Sequence, residues 1–319
     1  MLNPHAPIFF PTSPHAFTLN PNAAPFSPGR QSQVTALNPL APPFQPPPLT
    51  FNFSPCIPDM KSPSSIRICT VNACSWLKRA DEIKNLFCTS QLDILGITET
   101  WLTPDITSSI LTPSAEYKII RHDRHNNTVR RGGGVAFLLH PSISHATKHR
   151  PDLQPADPTI EIVCIELEHR PNSTFVFCCY RPPWQPPDQF CSALRTCIQS
   201  ISCPQASIFV IGDFNARLSK WLASDPDTPA GTCMYDTLDD LGLSQLVDQQ
   251  PTRYSASGKS SSLLDLVITN APIAVSHLTI LPPVSDHCPV VFDVVHNRSA
   301  GSTAQISSAQ NTWLDFAHT

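Results

Sequence analysis

The stretch Ile208-Phe209-Val210-Ile211-Gly212-Asp213-Phe214-Asn215-Ala216 constrains the fold more than any other in the chain. A short apolar run of this kind is too brief for a free-standing helix and suits a strand covered on both faces. The run stops at glycine, and a carboxylate, an aromatic ring and a carboxamide follow at once. Asp213 and Asn215, two apart, fall on one side of the pleat at the tip of that strand. A charge there is costly unless it is paired, bound to a metal or used in chemistry. An aspartate capping a strand-to-helix turn would look the same in isolation, but other strand ends in the chain are built alike.

Residues 1–62 differ from everything after them. Pro-rich pieces such as Ala41-Pro42-Pro43-Phe44-Gln45-Pro46-Pro47-Pro48 carry almost no charge, and many of the chain's 35 prolines lie here. Proline fixes φ and removes a backbone donor, which predicts a disordered, partly polyproline II tail. Such a tail is either an inert leader or a ligand for a proline-reading domain. An ordered domain is expected over 63–297, followed by a polar Ser/Ala/Gln-rich tail or linker over 298–319.

Within the domain, Ile66 to Val71 alternates as a strand ending at Asn72. An amphipathic helix follows, with Leu77, Ala80, Ile83 and Phe87 on one face. Leu92 to Ile97 is a second strand, ending at Thr98-Glu99-Thr100-Trp101. Strand–helix–strand implies parallel neighbours through a right-handed crossover, so Asn72 and Glu99 should share one sheet edge. Residues 117–139 read as a strand, a basic loop and a strand. Strands at 160–167 and 174–180 precede a helix bearing Phe190, Leu194, Cys197, Ile198 and Ile201, then the Asp213 strand. A short helix is expected around Tyr235 to Leu241, with further strands at 262–268, 277–281 and entering from 284 to 292. The pattern arrives in two similar halves. It predicts an α/β (α+β) fold, a four-layered αββα sandwich of two packed mixed sheets flanked by helices.

Composition narrows the function. Net charge is −4 and the pI is about 6.3, so no global basic field announces nucleic acid, and such a partner needs a local patch. The one basic cluster is the loop with Arg121, His122, Arg124, His125, Arg130 and Arg131 before Gly132-Gly133-Gly134. It is either a solvated hairpin tip or, beside a carboxylate-rich site, a contact to a phosphate backbone. Arg181 and Arg217, at strand ends, join the candidate DNA contacts. The 12 cysteines contain no C-x-x-C pair and read as reduced core thiols of an intracellular protein. No secretion signal and no membrane-length apolar run is present.

The strand ends carry Asn72, Glu99, Tyr180, Asp213, Asn215, Asp265, Asp286 and His287. Glu99 with carboxamide and carboxylate neighbours makes a hard oxygen site of the kind Mg²⁺ (or Mn²⁺) takes beside phosphate. Either Asp265 or Asp286 could orient His287 and stabilise its protonated form. Asp213 could accept a proton from water, so the set suits metal-assisted attack of water on a phosphodiester. A Ser-His-Asp hydrolase competes poorly: there is no G-x-S-x-G elbow, and Ser285 lies too close in sequence to His287.

In their order and detail, Asn72, Thr98-Glu99-Thr100-Trp101-Leu102, Arg131-Gly132-Gly133-Gly134-Val135-Ala136, Tyr180-Arg181-Pro182-Pro183, Gly212-Asp213-Phe214-Asn215-Ala216, Leu264-Asp265 and Ser285-Asp286-His287 resemble the endonuclease/exonuclease/phosphatase superfamily. Within it the chain is similar to the apurinic-type endonuclease domain of non-LTR, LINE-like retrotransposons, over about residues 65–296. The resemblance implies that Glu99, with Asn72 and Asp286 close by, holds a divalent metal. It implies that Asp213 orients or deprotonates water, Asn215 contacts the scissile phosphate, Tyr180 hydrogen-bonds that phosphate or helps position the site, and His287, oriented by Asp265, stabilises transition-state charge. Nicking of one strand of duplex DNA would leave a 3′ hydroxyl able to prime reverse transcription, in the nucleus or the cytoplasm. A reverse transcriptase domain or element RNA is the implied partner. Ala73-Cys74-Ser75 and Arg217 stand where the family often has other residues, which leaves local DNA contacts open. A phosphodiesterase or phosphatase of the same fold, and an idle retrotransposon-derived fragment acting through interactions, are the alternatives.

Overall fold

The structure, a computed structural model, describes residues 65–124, 132–168 and 173–295. The two expected tails, His125, Arg130 and Arg131 of the basic loop, and the turn at Arg170-Pro171-Asn172 lie outside the described residues.

In chain order the main elements are β1 (Ser65–Asn72), α1 (Ala80–Thr89), β2 (Ile94–Thr98), β3 (Lys118–His122), β4 (Val135–Leu139), α2 (Pro141–Ser144), β5 (Thr147–His149), β6 (Glu161–Glu168), β7 (Ser173–Tyr180) and α3 (Pro187–Gln199). They continue with β8 (Ser207–Asp213), α4 (Pro229–Asp240), β9 (Ser244–Gln245), β10 (Arg253–Tyr254), β11 (Ser261–Ser262), β12 (Asp265–Thr269), β13 (Val275–Ile280) and β14 (Val290–Val295). They form two six-stranded sheets, ordered β13-β14-β1-β2-β4-β3 and β5-β6-β7-β8-β12-β9, and a small β10-β11 hairpin. In each sheet one central pair is parallel (β1 with β2, β7 with β8), joined through α1 or α3, and the other neighbours are antiparallel. The two halves therefore repeat one plan, and the αββα sandwich expected from the sequence is the fold.

Pleat alternation assigns the faces. Ile68, Ile94, Val135 and Phe137 pack with Phe177, Phe209 and Ile211 of the other sheet in one core. Their neighbours Cys69, Leu95, Ala136 and Leu138 face outward onto Ile83, Leu86 and Phe87 of α1. Between the sheets, the Phe209 and Phe292 rings stack with centroids 5.9 Å apart. No helix among the described residues is long and apolar enough to cross a membrane.

The differences from expectation are local. Leu77 is exposed and Trp76 is buried in its stead, because a 3₁₀ turn at 77–79 precedes α1 and rotates the face. α4 starts at Pro229 rather than near Tyr235: the Thr228 hydroxyl accepts from the Gly231 N–H at 3.1 Å, and Pro229 fills the first turn. Ile201 falls just beyond α3.

Candidate active site

Parallel strands that end together bring their C-terminal residues to one rim. Tyr180, Asp213 and Asp265 are Cα partners across β7, β8 and β12. Opposite them, the other sheet presents Asn72 at the end of β1, Glu99 just past β2, and His287 ahead of β14. Hydrogen bonds cross between the sheets here. The Asn72 amide donates to Asp213 Oδ2 at 2.8 Å, Tyr180 OH donates to Glu99 Oε1 at 2.6 Å, and His287 Nδ1 meets Asp265 Oδ2 at 2.7 Å. Glu99, Trp101 and Asn215 all adopt left-handed backbone conformations (φ 50°, 55° and 45°), a strain held by this network.

Asp213 is buried, and its Oδ1 accepts the Asn215 backbone N–H at 2.9 Å. Burial lifts its carboxyl above the ordinary range, against the pull of His287 and with the help of Asp265. His287 Nε2 lies 4.0 Å from Asp213 Oδ2. Burial alone would lower the His287 imidazolium, but Asp265, Asp213 and Asp286 outweigh it and push its pKa up to about 9. Of the two aspartates weighed from sequence as its partner, Asp265 is the one bonded. Asp265 is in turn fixed by Thr252, whose Oγ1 accepts the Asp265 backbone N–H at 3.0 Å. Asp286 faces away, toward Arg253 Nε at 2.9 Å, and His287, Cys74 and Arg253 together outweigh its burial and hold its pKa low.

Glu99 stands half-buried at the mouth, accepting also from Trp101 Nε1 at 3.0 Å and from the Asn72 amide at 3.3 Å. Asn72 therefore turns its donor end to Glu99, while its oxygen accepts the Cys74 N–H at 3.0 Å. This differs from the expected ligand set, in which Asn72 would offer that oxygen to a metal. Cys74 fills the space between Asn72 and Asp286, with Sγ 3.1 Å from Asp286 Oδ1. Among the described residues, the acidic and histidine groups close enough to share one ion are a different trio, Asp213, Asp265 and His287. Most of their ligand atoms already have partners, and what remains is His287 Nε2 and the buried, unpartnered Asp265 Oδ1. The Glu99 carboxylate suits a hard divalent cation, and the trio suits proton handling.

The candidate DNA contacts divide. Arg181 is buried: its guanidinium donates to the carbonyls of Phe214 (2.7 Å), Gln185 (2.7 Å), Pro182 (3.2 Å) and Asn215 (2.7 Å). Each of its three nitrogens bonds backbone and the side chain is buried, so Arg181 acts as a structural clamp rather than the expected phosphate contact. Arg121 holds the Ile106 and Thr103 carbonyls at 2.9 and 3.0 Å and pairs with Asp123. Arg217 is half-buried. Arg124 ion-pairs with buried Glu161 and lies 5.8 Å over the rings of both Tyr180 and Trp184. A Cβ on Gly133 would come within 2.2 Å of that guanidinium, so the glycine is what admits it. Glu161, which also accepts the Gly134 N–H at 2.7 Å, carried no sequence signal. Cys74 was noticed only as a departure from the family pattern.

Residues 174–291 match the family model described as an endonuclease-reverse transcriptase. No curated protein matches the chain in sequence. Among solved structures, the endonuclease domain of TRAS1, a telomere-specific non-LTR retrotransposon, aligns with TM-score 0.56 at 17% identity, over 72% of this chain and 98% of that one. The AP endonuclease LMAP from Leishmania major gives 0.61 at 14%, over 75% and 90%. A 3′ phosphatase, NExo, from Neisseria bound to product DNA hairpin gives 0.55 at 18%, over 72% and 99%. The fold is thus that of endonuclease/exonuclease/phosphatase structures, as the motifs implied.

Proposed function

We propose that the chain is a divalent-metal-dependent DNA endonuclease that nicks one strand by water attack and leaves a 3′ hydroxyl. The observation that carries this is the arrangement around Asp213. It is a buried carboxylate with a raised pKa, fixed by Asn72 and Asn215, facing the Nε2 of a histidine whose other nitrogen is tied to Asp265. Asp213 accepts the proton of the attacking water as the new P–O bond forms and the P–O3′ bond breaks, and the departing O3′ takes a proton from solvent to become the hydroxyl. The His287 imidazolium, stabilised by Asp265, faces the phosphate and offsets its growing charge. Tyr180, whose pKa burial and then Glu99 push up, stays a neutral donor. Glu99, with Asp286 and Asn72 nearby, would hold Mg²⁺ or Mn²⁺, and the bound ion would supply charge neutralisation at the phosphate.

What the matched family model and the neighbours' names add is the substrate. DNA is the target, and priming of reverse transcription in the nucleus is the role, with a reverse transcriptase domain or element RNA as partner. The test uses supercoiled plasmid with the full chain, with Mg²⁺ or with chelator. Asp213→Ala and His287→Ala should each cut nicking by on the order of a hundredfold or more. The nicks should be extendable by a DNA polymerase without prior phosphatase treatment. Metal-independent cleavage, or nicks ending in 3′ phosphate, would overturn the reading. Turnover of a small phosphomonoester without any nicking would instead favour a phosphatase of the same fold.

A further inference from the structure

Glu161 opens β6, in the sheet opposite Glu99, and is only 1% exposed. A buried carboxylate is costly to place, and nothing in the proposed reaction touches this one. Its two oxygens serve two contacts. Oε2 accepts the Gly134 N–H at 2.7 Å, and Oε1 pairs with Arg124 Nε. Both contacts lead to Glu99. The Gly134 carbonyl accepts the Thr100 N–H at 3.2 Å, and the Gly133 carbonyl accepts the Trp101 N–H at 2.9 Å. These bonds hold the segment in which Glu99 and Trp101 take left-handed φ of 50° and 55°. Trp101 Nε1 then donates to Glu99 Oε2 at 3.0 Å. On the other side, Arg124 lies 5.8 Å over the ring of Tyr180, the Cα partner of Glu161. Tyr180 OH donates to Glu99 Oε1 at 2.6 Å. Glu161 thus closes a ring of contacts whose two arms end on the two oxygens of the Glu99 carboxylate. Left-handed backbone at a non-glycine residue persists only where its surroundings over-determine it. Here part of that constraint comes from the opposite sheet, through Glu161.

Resting on the metal-dependent nuclease reading, we infer that Glu161 is a positioning residue for the divalent-metal site, its reach to Gly134 setting the backbone that aims the Glu99 carboxylate. The property that matters is the length of the side chain and its acceptor oxygen. Two variants separate these from charge. Glu161→Asp keeps the charge but is one methylene too short to bridge Gly134 and Arg124. Glu161→Gln keeps the length and an acceptor and gives up the charge.

The experiment titrates Mn²⁺ into the full chain without DNA and reads the free ion from its electron paramagnetic resonance signal, well below the melting temperature of each variant. Glu161→Asp should weaken Mn²⁺ binding by roughly ten- to 100-fold, the usual effect of losing a partner that orients a metal ligand. Glu161→Gln should stay close to the wild type. Gly134→Ala strains the same link without touching the carboxylate, because its Cβ would stand 2.4 Å from Thr100 Oγ1. It should weaken Mn²⁺ binding as Glu161→Asp does, and it carries the test if that variant does not fold. Thr228→Ala, which loses a helix cap on α4, controls for general destabilisation and should bind Mn²⁺ as the wild type does. The Mg²⁺ concentration for half-maximal plasmid nicking should rise in Glu161→Asp by the same factor as its Mn²⁺ Kd. Wild-type affinity in Glu161→Asp, equal weakening in Glu161→Asp and Glu161→Gln, or matching weakening in Thr228→Ala would each overturn the positioning role and leave the nuclease reading standing. If the wild type neither binds Mn²⁺ nor nicks plasmid, the nuclease reading fails and the positioning role falls with it.

Discussion

Asp213 and His287 work, in the proposed chemistry, in opposite protonation states: the aspartate must be ionised to take a proton and the histidine charged to face the phosphate. Burial raises the first, and the surrounding carboxylates raise the second to about 9. The kcat/KM profile should therefore be bell-shaped, with its acid limb displaced upward toward neutrality and its alkaline limb near pH 9. Asp265 makes the largest favourable contribution to the histidine, so Asp265→Asn should move the alkaline limb to lower pH. An alkaline limb that stays in place would show that another group sets it. The linkage has a definite sign. The folded His287 pKa lies above its unfolded value of about 6.5, so this group stabilises the fold fully below that value and the contribution is lost as pH rises through about 9. Asp213, Asp265 and His287 were legible from sequence because each interrupts or borders an apolar strand, where a charge needs a reason. Glu161 was not, since it opens β6 as an ordinary strand-edge glutamate would. Only the return of Arg124 and Gly134, 37 and 27 residues away, gives it a role.

Gly212, one residue before Asp213, shows how an element aims a side chain. Its φ is +132°, and a Cβ there would stand 2.0 Å from the Cys179 carbonyl oxygen of the paired strand. The obstacle is backbone and cannot rotate away. Gly212→Ala should cost more than about 2 kcal/mol in urea unfolding, from overpacking and from the left-handed conformation together. A loss below about 0.5 kcal/mol would mean that β8 tolerates a different path. At α4, Thr228→Ala should cost about 1 kcal/mol, because the hydroxyl caps the helix and also bonds the Arg217 carbonyl at 3.0 Å. The strands of the two central parallel pairs were visible as apolar runs ending at polar residues. β5 and β9, three and two residues long, were not, because an edge strand that short has no period to detect. The α4 boundary was missed because Thr228-Pro229 signals a helix start only if the small residues Ala230 and Gly231 behind it are accepted as helical.

At the scale of the molecule, the catalytic rim is also where the two sheets are bonded to each other. Asn72 and Glu99 come from one sheet and meet Asp213 and Tyr180 of the other through side chains. Carboxylates gathered there repel one another, and burial keeps solvent from screening Asp213 and Asp265. A divalent cation at Glu99 would relieve that repulsion in the folded state alone, so it should stabilise the whole domain by mass action. At a hundred times its Kd the gain is about 2.7 kcal/mol, which for a domain of this size is a rise of roughly 5–10 °C in Tm. Chelator should reverse the rise, and Glu99→Gln should abolish most of it. Asp265→Asn decides between the two places an ion could sit. If the cation is held around Glu99, this variant keeps the metal-dependent shift although its own Tm differs. If the trio of Asp213, Asp265 and His287 holds the ion instead, Asp265→Asn loses the shift and Glu99→Gln retains it. Equal shifts in both variants would place the stabilising ion at neither cluster, and the assignment of Glu99 as the metal-holding residue would have to be withdrawn.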